Sequence, residues 1–349
     1  MMTVSGSANA VYAKAHAMYG KRLKKQNYDE LVNCHSLPEL VNYLKTRTEY
    51  GKTFDSAPSD ISAAQIEELL RLHILESFES LCRYEISAGE NFYQYYIVKN
   101  DVRQILMFIR LLINGTPEKY LNSLPPFFNK RTKLDLIKMS NAGNYSDFLS
   151  SLGDSEYHSI LLPFEDKYNE KGVYIQIESA LSNYLKEYLF SVVKRDSGRK
   201  EKNQIQEMIN CKFDMETVVN IYRLTRLEDA ETEDIKNYIN TKFTNFSEKE
   251  IDMLADAPRA RDMMRLMPET YYRKDFADIE YTYLEGAVQR VMYNRFSKNM
   301  RYFTDPAAAM LCYVFLLENE VQNIIHIVEG IKYKIPVKNI SAVLVGAED

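Results

Sequence analysis

The sequence predicts an all-α protein, and three observations carry that expectation. Glycine and proline together account for 22 of 349 residues, about 6% where roughly 12% is usual, and these are the residues that punctuate turns and break helices. Leu, Ile, Met, Glu and Lys are plentiful. No sustained stretch alternates apolar and polar residues as a half-buried strand would.

The elements follow in order. Ala10 to Lys25 reads as a helix with Val11, Ala15, Met18 and Tyr19 on one side. Leu37 to Thr48 follows, with Ser36 as its N-cap and Pro38 in the first turn. Ala63 to Ala88 carries Ile66, Leu69, Leu70, Ile74, Leu75, Phe78 and Leu81 at helical spacing. Asn100 to Ile113 ends at the stop signal Asn114-Gly115-Thr116-Pro117. Thr132 to Ser140 and Tyr145 to Leu152 are short helices, and Val173 to Val193 is long. A basic loop over 194–204 precedes a helix from Asp214 to Leu227. The last third holds Thr232 to Thr241, Ser247 to Ala255, Arg259 to Leu266, Ile279 to Phe296 and Pro306 to Gly330, with Ser247 and Glu250 forming a capping box. The tail from Ile331 to Val345 contains Pro336 and ends in a short final helix.

One segment recurs. Asp101-Val-Arg-Gln-Ile-Leu-Met-Phe-Ile-Arg110 and Asp214-Met-Glu-Thr-Val-Val-Asn-Ile-Tyr-Arg223 share an acid, aliphatics four and five residues on, an apolar residue at seven and Arg at nine. Glu320-Val-Gln-Asn-Ile-Ile-His-Ile-Val-Glu329 keeps the apolar positions. Aliphatic–Glu pairs lie upstream (Leu75-Glu76, Ile177-Glu178, Leu284-Glu285), and Thr48-Glu49-Tyr50 is echoed by Ser155-Glu156-Tyr157. Three units are expected, 1–115, 116–227 and 228–349. Each shared acid is expected to start its helix, where a carboxylate accepts free backbone N–H groups and complements the helix dipole. Arg110 and Arg223 fall on the opposite face, placed for a structural pairing.

Composition excludes several functions. The net charge is −5, so no global basic field attracts nucleic acid. The clusters at 21–25 and 194–202 are read as solvated charges. Cys34, Cys82, Cys211 and Cys312 form no C-x-x-C pair, and the five histidines are scattered, so neither zinc nor a disulfide framework is expected. No signal peptide is read at the start. The uncharged run Ala307–Leu317 falls short of the about 20 residues a bilayer span needs. Gly51-Lys52-Thr53 resembles the end of a phosphate loop, but Thr46 stands where the first glycine belongs. Glu67-Glu68 reads as surface charge. Tyr93, Tyr95 and Tyr96, like Tyr271 and Tyr272, either line a binding surface or belong to the core. No catalytic, cofactor-binding or metal-ligating residue is assigned, no cofactor is expected, and no residue is assigned to a partner surface.

The chain resembles the C-type subunit of the V-type ATPases of bacteria and archaea, related to the d-type subunit of the eukaryotic proton pump. The resemblance rests on Tyr12-Ala13-x-Ala15, Leu44…Thr48-x-Tyr50, the Asp101 and Asp214 segments, and Tyr313…Glu318-Asn319-Glu320-Val321-Gln322-Asn323-Ile324. The family's Glu-x-x-Asn-(Ile/Leu)-Arg run is broken here by Ile325. The resemblance implies a funnel of three helical subdomains about a pseudo-threefold axis, without catalytic residues. Its expected partners are the central-shaft subunits and the membrane rotor ring, and its expected place is cytoplasmic, peripheral to the membrane. The alternative is an all-helical scaffold with unrelated partners.

Overall fold

The computed structural model describes residues 3–55, 57–83, 89–123, 132–196, 199–225, 235–236, 239, 244–257, 259–277, 283–303 and 305–348. All regular structure among them is helical. The chain forms two compact units, one of residues 1–93, 197–205 and 289–349, the other of 94–196 and 206–288.

The first unit is built around one long helix. Helices α1 (Thr3–Gly20), α2 (Lys25–Val32), α3 (Leu37–Arg47) and α4 (Ala63–Cys82) come from the N-terminal part. Ser36 caps α3, its hydroxyl accepting from the Glu39 N–H at 3.3 Å, as expected. Ser62 and Gln65 cap α4 reciprocally. All four pack against the helix Pro306–Lys332, which Asp305 starts by accepting from the Ala308 N–H at 2.8 Å. The residues from Ala308 to Leu317 are all buried, because a helix apolar on every side must be enclosed by protein or lipid. The uncharged run is thus the axis of a core. No helix among the described residues is long and apolar enough to cross a membrane. A short helix, Val337–Ser341, closes the chain as expected.

In the second unit, long helices alternate with clusters of short ones. Helix α5 (Gly89–Ile113) leads through α6 (Lys119–Ser123) to α7 (Leu136–Ser140), α8 (Tyr145–Leu152), α9 (Glu156–Leu161) and a 3-10 turn. The long α10 (Val173–Asp196) and α11 (Arg199–Leu224) follow, then α12 (Glu248–Ala255), α13 (Ala260–Leu266), a second 3-10 turn and α14 (Arg273–Phe276). Helix α15 (Leu284–Tyr302) leads on to the long axial helix, here α16, and α17 (Val337–Ser341). Phe108, Tyr120, Phe148 and Leu161 are fully buried in the core between α5 and α10.

Four expectations are corrected. Residues 199–204, read as loop, open α11, since lysine and arginine are good helix formers. The helix after Thr132 begins at Leu136, with Asp135 as its cap. Ala63–Ala88 ends as a helix at Cys82, and 84–88 lie outside the described residues. Glu68 is buried rather than exposed; Glu67 pairs with Arg71 at 2.7 Å. Most of the helix expected over 232–241 also lies outside the described residues.

Candidate functional site

The shared acids do not cap their helices. Asp101 lies inside α5, Asp214 inside α11 and Glu320 inside α16, each more than three turns from the start. Asp101 and Asp214 are fully buried, and Glu320 is 8% exposed. A mid-helix carboxylate cannot reach the free N–H groups of the first turn. Burial also forbids leaving it unpaired, so it must take donors from elsewhere in the chain.

It does so in a recurring way. Asp101 Oδ1 accepts from the Thr132 hydroxyl, and Oδ2 from the Lys133 N–H at 3.3 Å and the Tyr157 hydroxyl at 3.4 Å. Asp214 Oδ1 accepts from the Thr244 hydroxyl, and Oδ2 from the Asn245 N–H at 2.9 Å and the Tyr272 hydroxyl at 2.6 Å. Glu320 Oε2 accepts from the Leu23 N–H at 2.7 Å, and Oε1 from the Tyr50 hydroxyl at 2.7 Å. Each clasp therefore joins a long helix to one backbone N–H and one tyrosine from a cluster of short helices. Thr132 and Thr244 also accept from the N–H two residues on, Leu134 at 3.0 Å and Phe246 at 3.1 Å. That fixes the loop that presents the backbone donor. Glu320 has no threonine partner; its longer side chain reaches the donors alone.

Two of the tyrosines, Tyr50 and Tyr272, sit in matching turns, and Tyr157 lies in the first turn of α9. The Tyr50 N–H donates to Thr48 Oγ1 at 3.2 Å, and the Tyr272 N–H to Thr270 Oγ1 at 3.2 Å. The sequence echo of Thr48-x-Tyr50 in Ser155-x-Tyr157 thus marks two of the three clasp tyrosines. Thr270-x-Tyr272 completes the set. It escapes notice because Tyr271 beside it makes the pair look like a surface doublet. Tyr271 is half-exposed, whereas Tyr272, Tyr95 and Tyr96 are core residues.

Burial dominates the electrostatics of the clasps. It pushes the Asp101 and Glu320 carboxyls up to about 6, with the hydrogen bonds opposing it. Asp214 shifts upward for the same reason, against its three donors and the nearby buried Lys186. Tyr50 and Tyr157 are driven upward by burial and then by their carboxylate partners, and Tyr272 by burial, then Cys211 and then Asp214, so each stays protonated and donates.

Raised carboxyls sometimes mark general acids. Here their oxygens are occupied by protein donors. Beside Glu320 lies a cavity of about 50 Å³ bordered by Tyr28, Tyr50, His73 and Tyr313, a volume on the scale of a few waters. The arrangement is a structural clasp.

The remaining sequence candidates are engaged structurally. Arg110 donates to the Tyr174 hydroxyl at 2.9 Å, and Arg223 pairs with Glu178 at 3.0 Å, both on α10. Thr53 of the Gly51-Lys52-Thr53 stretch is bonded to His73 Nδ1 at 2.8 Å. Burial lowers His73 to about 4. Ile325 is buried, and Asn323 two residues before it brackets Val345, donating to its carbonyl at 2.9 Å and accepting from its N–H at 3.0 Å. Among the described residues, no group of three His, Cys, Asp or Glu is placed to hold a metal ion, and none of the four cysteines is in a disulfide.

The sequence pattern of the ATP synthase (C/AC39) subunit family matches residues 11–343. The C-type subunit of the A-type ATP synthase of Methanosphaera stadtmanae is 27% identical over 234 residues, covering 65% of this chain and 56% of that protein. The protein of the same name from Methanobrevibacter smithii is 22% identical over 279 residues, 79% of this chain and 69% of its own. Another from Haloquadratum walsbyi is 22% identical over 344 residues, 94% and 96%. The chain thus spans little more than half the length of the first of these relatives.

Proposed function

The chain belongs to the ATP synthase (C/AC39) subunit family, and from that premise we propose that it is a non-catalytic central-stalk adaptor of a rotary A/V-type ATPase. It joins the rotor shaft to the membrane rotor ring, on the cytoplasmic face, so that torque passes between them. Three units, 1–115, 116–227 and 228–349, would repeat about a pseudo-threefold axis. The observation that carries this reading is the clasp. A body that transmits torque must not let its long helices slide, and a hydrogen-bonded buried anchor in the middle of three of them, α5, α11 and α16, resists sliding in a way apolar contacts alone do not.

The test is reconstitution of the ATPase into vesicles with and without the chain. With it, ATP hydrolysis should drive ion uptake. Without it, the soluble head should still hydrolyse ATP while uptake is lost. Uptake at normal coupling in its absence overturns the proposal.

A further inference from the structure

The turn after α16 exposes apolar and basic side chains together. Tyr333, Ile335 and Val337 are 65%, 42% and 42% exposed. They are three of the eight large apolar residues exposed among the described residues; the other five are scattered, while these occupy alternate positions of one short stretch. Lys332, Lys334 and Lys338 are interleaved with them and exposed. Among the described residues none of the three lysines is in an ion pair. From Gly330 to Ala347 the sequence has no acidic residue.

The turn is also preformed. The N–H groups of Tyr333, Lys334 and Ile335 bond back to the carbonyls of Glu329, Ile331 and Gly330 at 2.9, 3.2 and 2.8 Å. Pro336 has no N–H, and its carbonyl accepts from Asn339 and Ile340 at 2.8 and 3.2 Å. Lys334 has φ 54°, the one non-glycine residue with positive φ among the described residues. A lysine is held in that sparsely populated region only where its surroundings determine it. Underneath, Ile340 packs directly on Gly330, where an added Cβ would stand 2.4 Å from Ile340 Cδ1. Because the donors of 333–335 are turned inward, the apolar side chains can enter an apolar site without stranding those backbone groups.

We propose that residues 332–338 are a docking knuckle for a partner protein that presents an apolar groove rimmed by carboxylates. The occupant's chemistry follows from three unneutralised lysines around three apolar side chains. A protein groove suits the knuckle better than an anionic bilayer does. A fluid surface gains nothing from a fixed left-handed turn. A charged plane would also face much of a chain whose net charge is −5, whereas a groove meets only the knuckle, and charges beyond about 10 Å are screened.

The inference rests on the chain being a subunit of an A/V-type ATPase, so the test uses that assembly. Purified chain is titrated into the cell's own ATPase stripped of this subunit, and retention is measured by sedimentation. Two variants are compared with the native chain, Ile335→Ser with Val337→Ser, and Lys332→Glu with Lys338→Glu. Both spare Lys334, Pro336 and Ile340. Each variant is expected to bind at least tenfold more weakly with unchanged helicity, and only the native chain and the serine variant should lose affinity steeply with salt. If the native chain joins and both variants join equally well, the knuckle is overturned while the subunit reading stands. If the native chain does not join at all, both fall. Flotation with vesicles of three parts phosphatidylcholine to one of phosphatidylglycerol, lost in both variants, would replace the protein occupant by a bilayer and overturn the proposal.

Discussion

The Glu320 clasp should make local stability fall as pH rises through weakly acidic values, the reverse of an ordinary salt-bridged carboxylate. Burial lifts its carboxyl from 4.5 to about 6, and the bonds from Tyr50 and Leu23 only partly oppose the shift. A group whose folded pKa is raised keeps its proton longer in the native state. Its contribution is therefore fully present below about 4.5 and is lost as pH rises through about 6. The interval of about 1.5 units corresponds to on the order of 2 kcal/mol. Glu320→Gln keeps the size of the side chain and an oxygen for the Leu23 N–H, yet cannot ionise. Its amide can donate to the Tyr50 hydroxyl. The variant should match the native chain near pH ~4.5 and be more stable by up to ~2 kcal/mol near pH ~8. Amide hydrogen exchange of peptides spanning Leu23 to Tyr28 and Glu320 to Val328, corrected for intrinsic rates, reads this locally without assuming that two units unfold together. Protection that instead increases across this interval in the native chain, in a step absent from the Gln variant, would show that the clasp favours the ionised acid and refute the reasoning.

The helical class was legible because it depends on local chemistry. Scarce glycine and proline, the Ser36 and Ser247 caps and the Pro306 start all act within a few residues of themselves, and each is found where the pattern places it. The clasps were legible only as recurrence. An acid ahead of an amphipathic stretch looks the same whether a helix begins there or has already run three turns, and the polar residues Asn100 and Asn319 just before two of the acids favour the wrong choice. What distinguishes the cases is a partner 31 or 32 residues away at Asp101 and 297 away at Glu320. No local pattern encodes that. The Thr48-x-Tyr50 echo was the trace of it, since a tyrosine whose hydroxyl must meet a buried acid is constrained in both its turn and its side chain.

Three further perturbations separate the parts of this design. Asn323→Leu removes both bonds to Val345, which should cost about 2–3 kcal/mol locally and expose residues 343–348 to limited proteolysis, while melting of the rest of the chain changes little. Gly330→Ala forces a Cβ against Ile340; overpacking of this kind costs about 1–3 kcal/mol, and Ile340→Ala in the same chain should relieve it, as a thermal-melting cycle of the two substitutions would read. The last perturbation is the one that chemical similarity would call mild. Glu320→Asp keeps the charge but draws the carboxylate back by about one C–C bond, ~1.5 Å. Both donors sit at 2.7 Å, and no threonine stands by to substitute. Neither bond survives that retreat, because a donor and acceptor beyond about 3.5 Å no longer form one. The Leu23 N–H belongs to the backbone and cannot move away from its buried position, so it is stranded together with a buried charge. The expected cost is about 3–5 kcal/mol near neutral pH, against a gain of up to ~2 kcal/mol for Glu320→Gln. Denaturant unfolding of the two variants side by side decides it: an Asp variant as stable as the Gln variant would mean that reach is not what the glutamate supplies at this clasp.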